Sequence, residues 1–159
     1  SDVPADAFMR SEAMGFFHDH SAGEALKILC VDDDLATCQL YGEYGNILDW
    51  VVYQTTTVPA ALDVTSTRRF DAIVVDQSIG TDTGIDLIRE IRRNEGPNQH
   101  APFLMCTVYD MQEMADALNR LNVEAFLQKP ISLSRFEHAV LSLMDERQFT
   151  LDLEQQQKN

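Results

Sequence analysis

The stretch Val31-Asp32-Asp33-Asp34 places three carboxylates in a row directly after the apolar run Ile28 to Val31. Two carboxylates about 4 Å apart repel by about 4 kcal/mol at an effective dielectric near 20, so such a cluster calls for a compensating cation. Other reactive side chains stand far along the chain, each just after a short apolar run. Asp76 follows Ala72 to Val75, Thr107 follows Phe103 to Cys106, and Lys129 comes shortly after Ala125 to Leu127. Asp76 adds a further negative charge. A threonine hydroxyl and a lysine ammonium are donors suited to an anionic group.

These groups can act together only if the fold gathers them. Five apolar runs have strand length: Ile28 to Val31, Trp50 to Tyr53, Ala72 to Val75, Phe103 to Cys106 and Ala125 to Leu127. Helix-period segments alternate with them at Leu35 to Leu48, Pro59 to Thr67, Gly84 to Asn94, Met111 to Leu121 and Leu133 to Glu146. In the third, Ile85, Ile88 and Ile91 line one side while Asp86, Arg89, Glu90 and Arg93 line the other. Strand and helix alternating five times predicts an α/β fold, a parallel sheet with helices on both faces, since each right-handed crossover needs a helix of this length. Ligands of such sheets bind outside the carboxyl ends of the strands. Asp32 to Asp34, Asp76, Thr107 and Lys129 all fall there.

Composition narrows the possible partners. The 159 residues are 45% hydrophobic, enough for the core of one domain with extensions. With 26 acidic and 12 basic residues the net charge is −14, which argues against direct nucleic-acid binding. No apolar run approaches a membrane span, and no signal-peptide pattern is present. Cys30, Cys38 and Cys106 lie in strand-like or helix-like segments and read as reduced core residues of a cytoplasmic protein.

The motifs ILCVDDD, IVVDQSIGTDTG, FLMCT and FLQKP, in this order, resemble those of the receiver domains of two-component response regulators over about residues 25 to 148. Asp76 precedes Thr107 by thirty-one positions and Thr107 precedes Lys129 by twenty-two, spacings that fit that family. The resemblance implies a (βα)5 flavodoxin-like three-layer sandwich with strand order 2-1-3-4-5. It implies that Asp76 accepts a phosphoryl group from a phosphohistidine on a sensor histidine kinase or histidine phosphotransfer protein. Mg²⁺ is then the missing cation, bound by Asp33, Asp76 and the Ser78 carbonyl, with Asp32 acting through a water. Lys129 and Thr107 would assist the transfer, and a cis peptide at Lys129-Pro130 is expected. Thr107 and Phe126 would carry the signal to an output partner by a shift between two packings. Such a domain catalyses its own phosphorylation and dephosphorylation and is not otherwise an enzyme. The residue types suit this chemistry, because phosphoryl transfer is catalysed by positioning and by charge stabilisation.

Some positions depart from the commoner receiver pattern. Gln77 and Gly80 stand where Leu and Pro are usual, which predicts a looser loop after Asp76. Val108 and Tyr109 are bulkier than the residues expected beside the site and, with Ser78, are read as tuning the rates. Two other readings compete with the leading one. A receiver used only as an unphosphorylated binding scaffold would keep the fold. A haloacid-dehalogenase-like phosphohydrolase would use the spaced pair Asp32 and Asp34, but no later acidic pair completes its metal site. Residues 1–24 form an extension in which Phe8, Ala13, Phe16 and Phe17 predict a helix that packs on the domain, on a second copy in a homodimer, or on another neighbour. His18 and His20 within it are read as structural. Residues 149–159 turn polar and predict a linker or a helix end.

Overall fold

The computed structural model describes residues 24–123 and 125–158, with side chains at 111 and 146–158 left aside. The expected N-terminal helix therefore lies outside the described residues. The elements run β1 Lys27–Val31, α1 Leu35–Leu48, β2 Val51–Thr55, α2 Val58–Thr67, β3 Ala72–Val75, β4 Ser78–Ile79 and β5 Asp82–Thr83. After these come α3 Gly84–Arg93, β6 Phe103–Thr107, α4 Met111–Arg120, β7 Ala125–Gln128 and α5 Leu133–Lys158. Five strands form one parallel sheet in the order β2-β1-β3-β6-β7. This is the expected 2-1-3-4-5 once β4 and β5 are set apart, since they pair only with each other as a small antiparallel hairpin. Strands of two residues are too short to leave a periodic signal in a sequence, and so the hairpin was not foreseen.

Alternation along each strand divides the core between the two faces of the sheet. Leu29, Val31, Ile73, Val75, Phe103 and Met105 point toward α2, α3 and α4, where they meet Ala61, Leu87, Ile88, Ile91, Met114 and Leu118. Ile28, Cys30, Ala72, Val74, Leu104 and Cys106 point the other way, toward Tyr41 and Leu48 of α1 and Phe136, Val140 and Leu143 of α5. Phe136 is fully buried there and stacks on Tyr41 with ring centroids 5.1 Å apart. The three cysteines are free and buried, as expected. Both faces are covered, so the three central strands read as nearly continuous apolar runs.

The helix ends follow side-chain chemistry. Thr57 accepts a hydrogen bond from the Ala60 N–H at the start of α2, and a proline lies in the first turn. Thr57→Ala should destabilise the domain by about 1 kcal/mol. The check is a lower urea midpoint at unchanged slope, and an unchanged midpoint would remove Thr57 as a cap. At the other end of the chain, α5 continues past Glu146 to Lys158, through the segment read as a linker or helix end. Among the described residues no helix is long and apolar enough to cross a membrane.

Candidate functional site

Backbone bonds across the sheet bring the strand ends to one edge. The Asp32 N–H donates to the Thr55 carbonyl (3.1 Å), the Asp76 N–H to the Val31 carbonyl (3.0 Å) and the Lys129 N–H to the Thr107 carbonyl (2.8 Å). Parallel pairing thus carries residues nearly one hundred positions apart into contact. Lys129 Nζ lies 2.6 Å from Asp32 Oδ2 and 3.0 Å from Asp76 Oδ2, bridging the two carboxylates. The peptide from Lys129 to Pro130 is cis, as the resemblance implied.

Each carboxylate of the cluster has its own set of partners. Asp32 is only 2% exposed, and its second oxygen accepts from the Asp34 N–H at 2.9 Å. Burial pushes the Asp32 carboxyl above its usual range, and the hydrogen bond from Lys129 pulls it back in part. Burial also opposes the charge on Lys129, but the bonds to Asp32 and Asp76 outweigh it and hold the ammonium above its ordinary pKa. Asp33 turns away and accepts from the Gly80 N–H at 2.8 Å. Asp34 stands at the N-cap position of α1 without bonding a backbone N–H there, and accepts instead from the Thr37 hydroxyl at 2.6 Å. The Asp76 Oδ1 accepts from the Gln77 N–H at 2.7 Å, so both of its oxygens are held by donors.

Thr107 is completely buried, with its hydroxyl oxygen 3.4 Å from the Tyr109 N–H. Phe126 is partly buried against the core on the α2, α3 and α4 side. Ser78 is exposed on β4. Val108 is 67% exposed and lines a groove of about 650 Å³ with residues of α1 and the Lys129 to Ser132 loop, while Tyr109 is 43% exposed. The structure therefore gathers Asp32, Asp76 and Lys129 by direct bonds and ties Asp33 to the Gly80 N–H in the turn of the hairpin.

Among the described residues no three carboxylate, thiolate or imidazole groups are gathered closely enough to form a ready metal cage. The oxygens are instead engaged by Lys129 and by the Gly80 and Gln77 N–H groups. The donor set nevertheless suits Mg²⁺, a hard cation that keeps several waters and needs only one or two carboxylates. The two carboxylates of Asp32 and Asp76 against the one ammonium of Lys129 leave negative charge for such an ion to neutralise.

Contacts of three residues, Gly84, Gln77 and Gly80, were not expected from the sequence. A Cβ on Gly84 would stand 2.2 Å from the Asp76 carbonyl oxygen, so Gly84 lets α3 close onto the backbone of the site. Gln77, expected to loosen its loop, instead accepts from the Ile85 N–H at 3.0 Å through its side-chain oxygen. Gly80, the other unusual loop residue, supplies the N–H that holds Asp33. Each contact has a backbone group as its partner, the Asp76 carbonyl or the Ile85 or Gly80 N–H, and the sequence does not show which backbone group will lie nearby.

The family model of the response regulator receiver domain matches residues 28–141. The chain is 21% identical over 117 residues to the polar-differentiation response regulator DivK of Brucella anthropi, covering 74% of this chain and 94% of DivK. It is 31% identical over 117 residues to the regulatory protein VirG of Agrobacterium tumefaciens, covering 72% of this chain but 42% of VirG. Among solved structures, the chemotaxis response regulator CheY4 of Vibrio cholerae superposes with a TM-score of 0.70 at 21% identity, covering 76% of this chain and 99% of CheY4. The receiver domain of the sensor histidine kinase PA1611 of Pseudomonas aeruginosa, which holds a coordinated magnesium ion in its active-site cleft, superposes with a TM-score of 0.69 at 20% identity, covering 77% of this chain and 99% of that one. With the family model matched across the sheet and both of its helical layers, the chain belongs to the response regulator receiver domains of two-component systems.

Proposed function

We propose that this receiver domain accepts a phosphoryl group on Asp76, with Mg²⁺, from a phosphohistidine of a sensor histidine kinase or histidine phosphotransfer protein, and controls an output partner through the change. The observation that carries the reading is the Lys129 ammonium set between Asp32 and Asp76 at the carboxyl edge of the sheet. An Asp76 carboxylate oxygen would form the new bond to phosphorus as the bond from phosphorus to the donor's imidazole nitrogen breaks, leaving an acyl phosphate and a free histidine. Lys129 then has a phosphoryl oxygen to neutralise, and the buried Thr107 hydroxyl a second one to bond. Asp33, with Asp76, the Ser78 carbonyl and Asp32 through water, would hold Mg²⁺, which supplies charge neutralisation for the transferring group. Phe126, partly buried beside Thr107's strand, is the aromatic that would move inward as the hydroxyl is drawn to the phosphoryl group. The cytoplasm is the compartment that fits such donors.

The test uses acetyl phosphate as a small donor. Incubated with it and Mg²⁺, the protein should gain one phosphoryl group by intact mass, mapped to the Asp76 peptide. No gain, or a gain on another residue, overturns the reading.

Mg²⁺ itself is tested by thermal melts. An ion that binds only the folded state raises the melting temperature by mass action. Asp33→Ala should remove most of that rise, while the apo protein changes little, since relief of repulsion is offset by loss of the 2.8 Å bond from Gly80. Equal Mg²⁺ stabilisation of both proteins would remove Asp33 from the ion.

The lifetime of the acyl phosphate depends on the water that attacks it. Ser78 offers no carboxylate or amide to orient that water, and the Tyr109 side chain can shield the approach. Phosphorylated protein should therefore persist on the order of minutes to hours, and Tyr109→Ala should shorten its life severalfold. Unchanged decay in Tyr109→Ala would end the shielding argument.

A further inference from the structure

The residue after Asp76 does more than continue the chain. Gln77 makes three bonds within one short stretch: its N–H donates to Asp76 Oδ1 (2.7 Å), its carbonyl accepts from the Gly84 N–H (2.9 Å), and its side-chain oxygen accepts from the Ile85 N–H (3.0 Å). Gly84 and Ile85 are the first two residues of α3, whose N-terminal N–H groups have no partner within the helix. Thr83 takes the next, the N–H of Asp86, at 3.1 Å. The start of α3 is therefore fixed largely by Gln77, and the hairpin pairing of Ser78 with Thr83 closes the loop between them.

This arrangement works in both directions. With its side chain and carbonyl anchored on a helix whose Leu87, Ile88 and Ile91 are buried, Gln77 has little freedom to rotate its own N–H. That N–H is one of the two donors that set the plane of the Asp76 carboxylate, Lys129 being the other. The leucine usual at this position in the family has no side-chain acceptor for the helix.

We infer that Gln77 is a positioning residue for Asp76: by capping α3 through its side-chain oxygen, it fixes the backbone N–H that orients the reactive carboxylate. The inference rests on Asp76 as the phosphoacceptor. A misdirected nucleophile lowers the rate of transfer without altering how the donor is bound.

The experiment compares the full chain with Gln77→Met, which keeps length but lacks a strong acceptor, and Gln77→Glu, which keeps a carbonyl-type oxygen for the Ile85 N–H. With acetyl phosphate and Mg²⁺, Gln77→Met should lose about tenfold in maximal phosphorylation rate at an unchanged half-saturating donor concentration. Its Ile85 amide should exchange with solvent at least severalfold faster, and Gln77→Glu should restore most of both. The inference is overturned if Gln77→Met keeps the wild-type maximal rate, if its loss matches the loss of folded protein in the same sample, or if Gln77→Glu falls with it. Failure of the Asp76 assignment shows separately, as a wild-type protein that takes up no phosphoryl group. Positioning is then read from the amide proton of residue 77, which a carboxylate bond shifts downfield in wild type and Gln77→Glu. An equal shift in Gln77→Met overturns it.

Discussion

Asp76→Asn should take up no phosphoryl group from acetyl phosphate under conditions that label the wild-type protein. Asparagine has nearly the same shape, and its side-chain oxygen can still accept from the Gln77 N–H at the place of Asp76 Oδ1. What it lacks is an anionic oxygen to attack phosphorus and a charge to hold Mg²⁺. The fold should survive, because Asp76 is one of two carboxylates on Lys129 and the shorter bond, 2.6 Å, goes to Asp32. Removing one negative charge from a cluster of like charges also offsets part of the lost pairing. Circular dichroism and a melting curve close to wild type would show that folding is intact, and intact mass would show the missing phosphoryl group. A variant still labelled, with the label on an aspartate, would move the acceptor elsewhere and sink the assignment.

The fold was legible because burial on both faces of a parallel sheet leaves a plain signal: Ala72 to Val75 and Phe103 to Cys106 are wholly buried, and their sequences are apolar runs of strand length. Boundaries were less legible where neither face is fully covered. β2 is partly exposed along its length and lies at Val51–Thr55, shifted from the expected Trp50 to Tyr53. At the site, the charged residues were visible because type and spacing carry the chemistry. Asp32, Asp76 and Lys129 meet as their positions after strands implied.

Residues that act through the backbone were not visible. Asn98 looks like an ordinary loop residue in QH-bounded polar sequence, yet it is buried, accepts from the Phe70 N–H and donates to the carbonyls of Thr65 and Arg68. Arg92 resembles its exposed neighbours on α3, but its guanidinium reaches the carbonyls of Gln99, Ala101 and Leu121 and lies over the Phe103 ring. Periodicity places a side chain on a face, and it does not say which distant carbonyl waits there.

Gly84 is the sharpest case of that kind, and it carries the second large effect. Alanine is normally preferred to glycine in a helix by about 1 kcal/mol, so propensity alone predicts that Gly84→Ala at the start of α3 is neutral or stabilising. The structure predicts the reverse. The added Cβ would meet the Asp76 carbonyl oxygen at 2.2 Å and its carbonyl carbon at 3.0 Å, with Val75 Cγ2 at 3.1 Å. Two of these are backbone atoms, so no side-chain rotation relieves the clash. Either α3 lifts from a core in which Leu87 and Ile88 are buried, or the Asp76 backbone moves. Overpacking of this sort costs about 1 to 3 kcal/mol, and a reactive group displaced by about 1 Å loses on the order of a hundredfold in rate. Gly84→Ala should therefore melt lower than wild type and phosphorylate about a hundred times more slowly, even in samples shown to be folded. Gly96→Ala is the control, since a Cβ there meets nothing within 4 Å, and it should match wild type in both measurements. A Gly84→Ala protein that melts at or above wild type and labels at the wild-type rate would show that α3 does not sit against Asp76 as described, and the account of how the fold positions the carboxylate would fall with it.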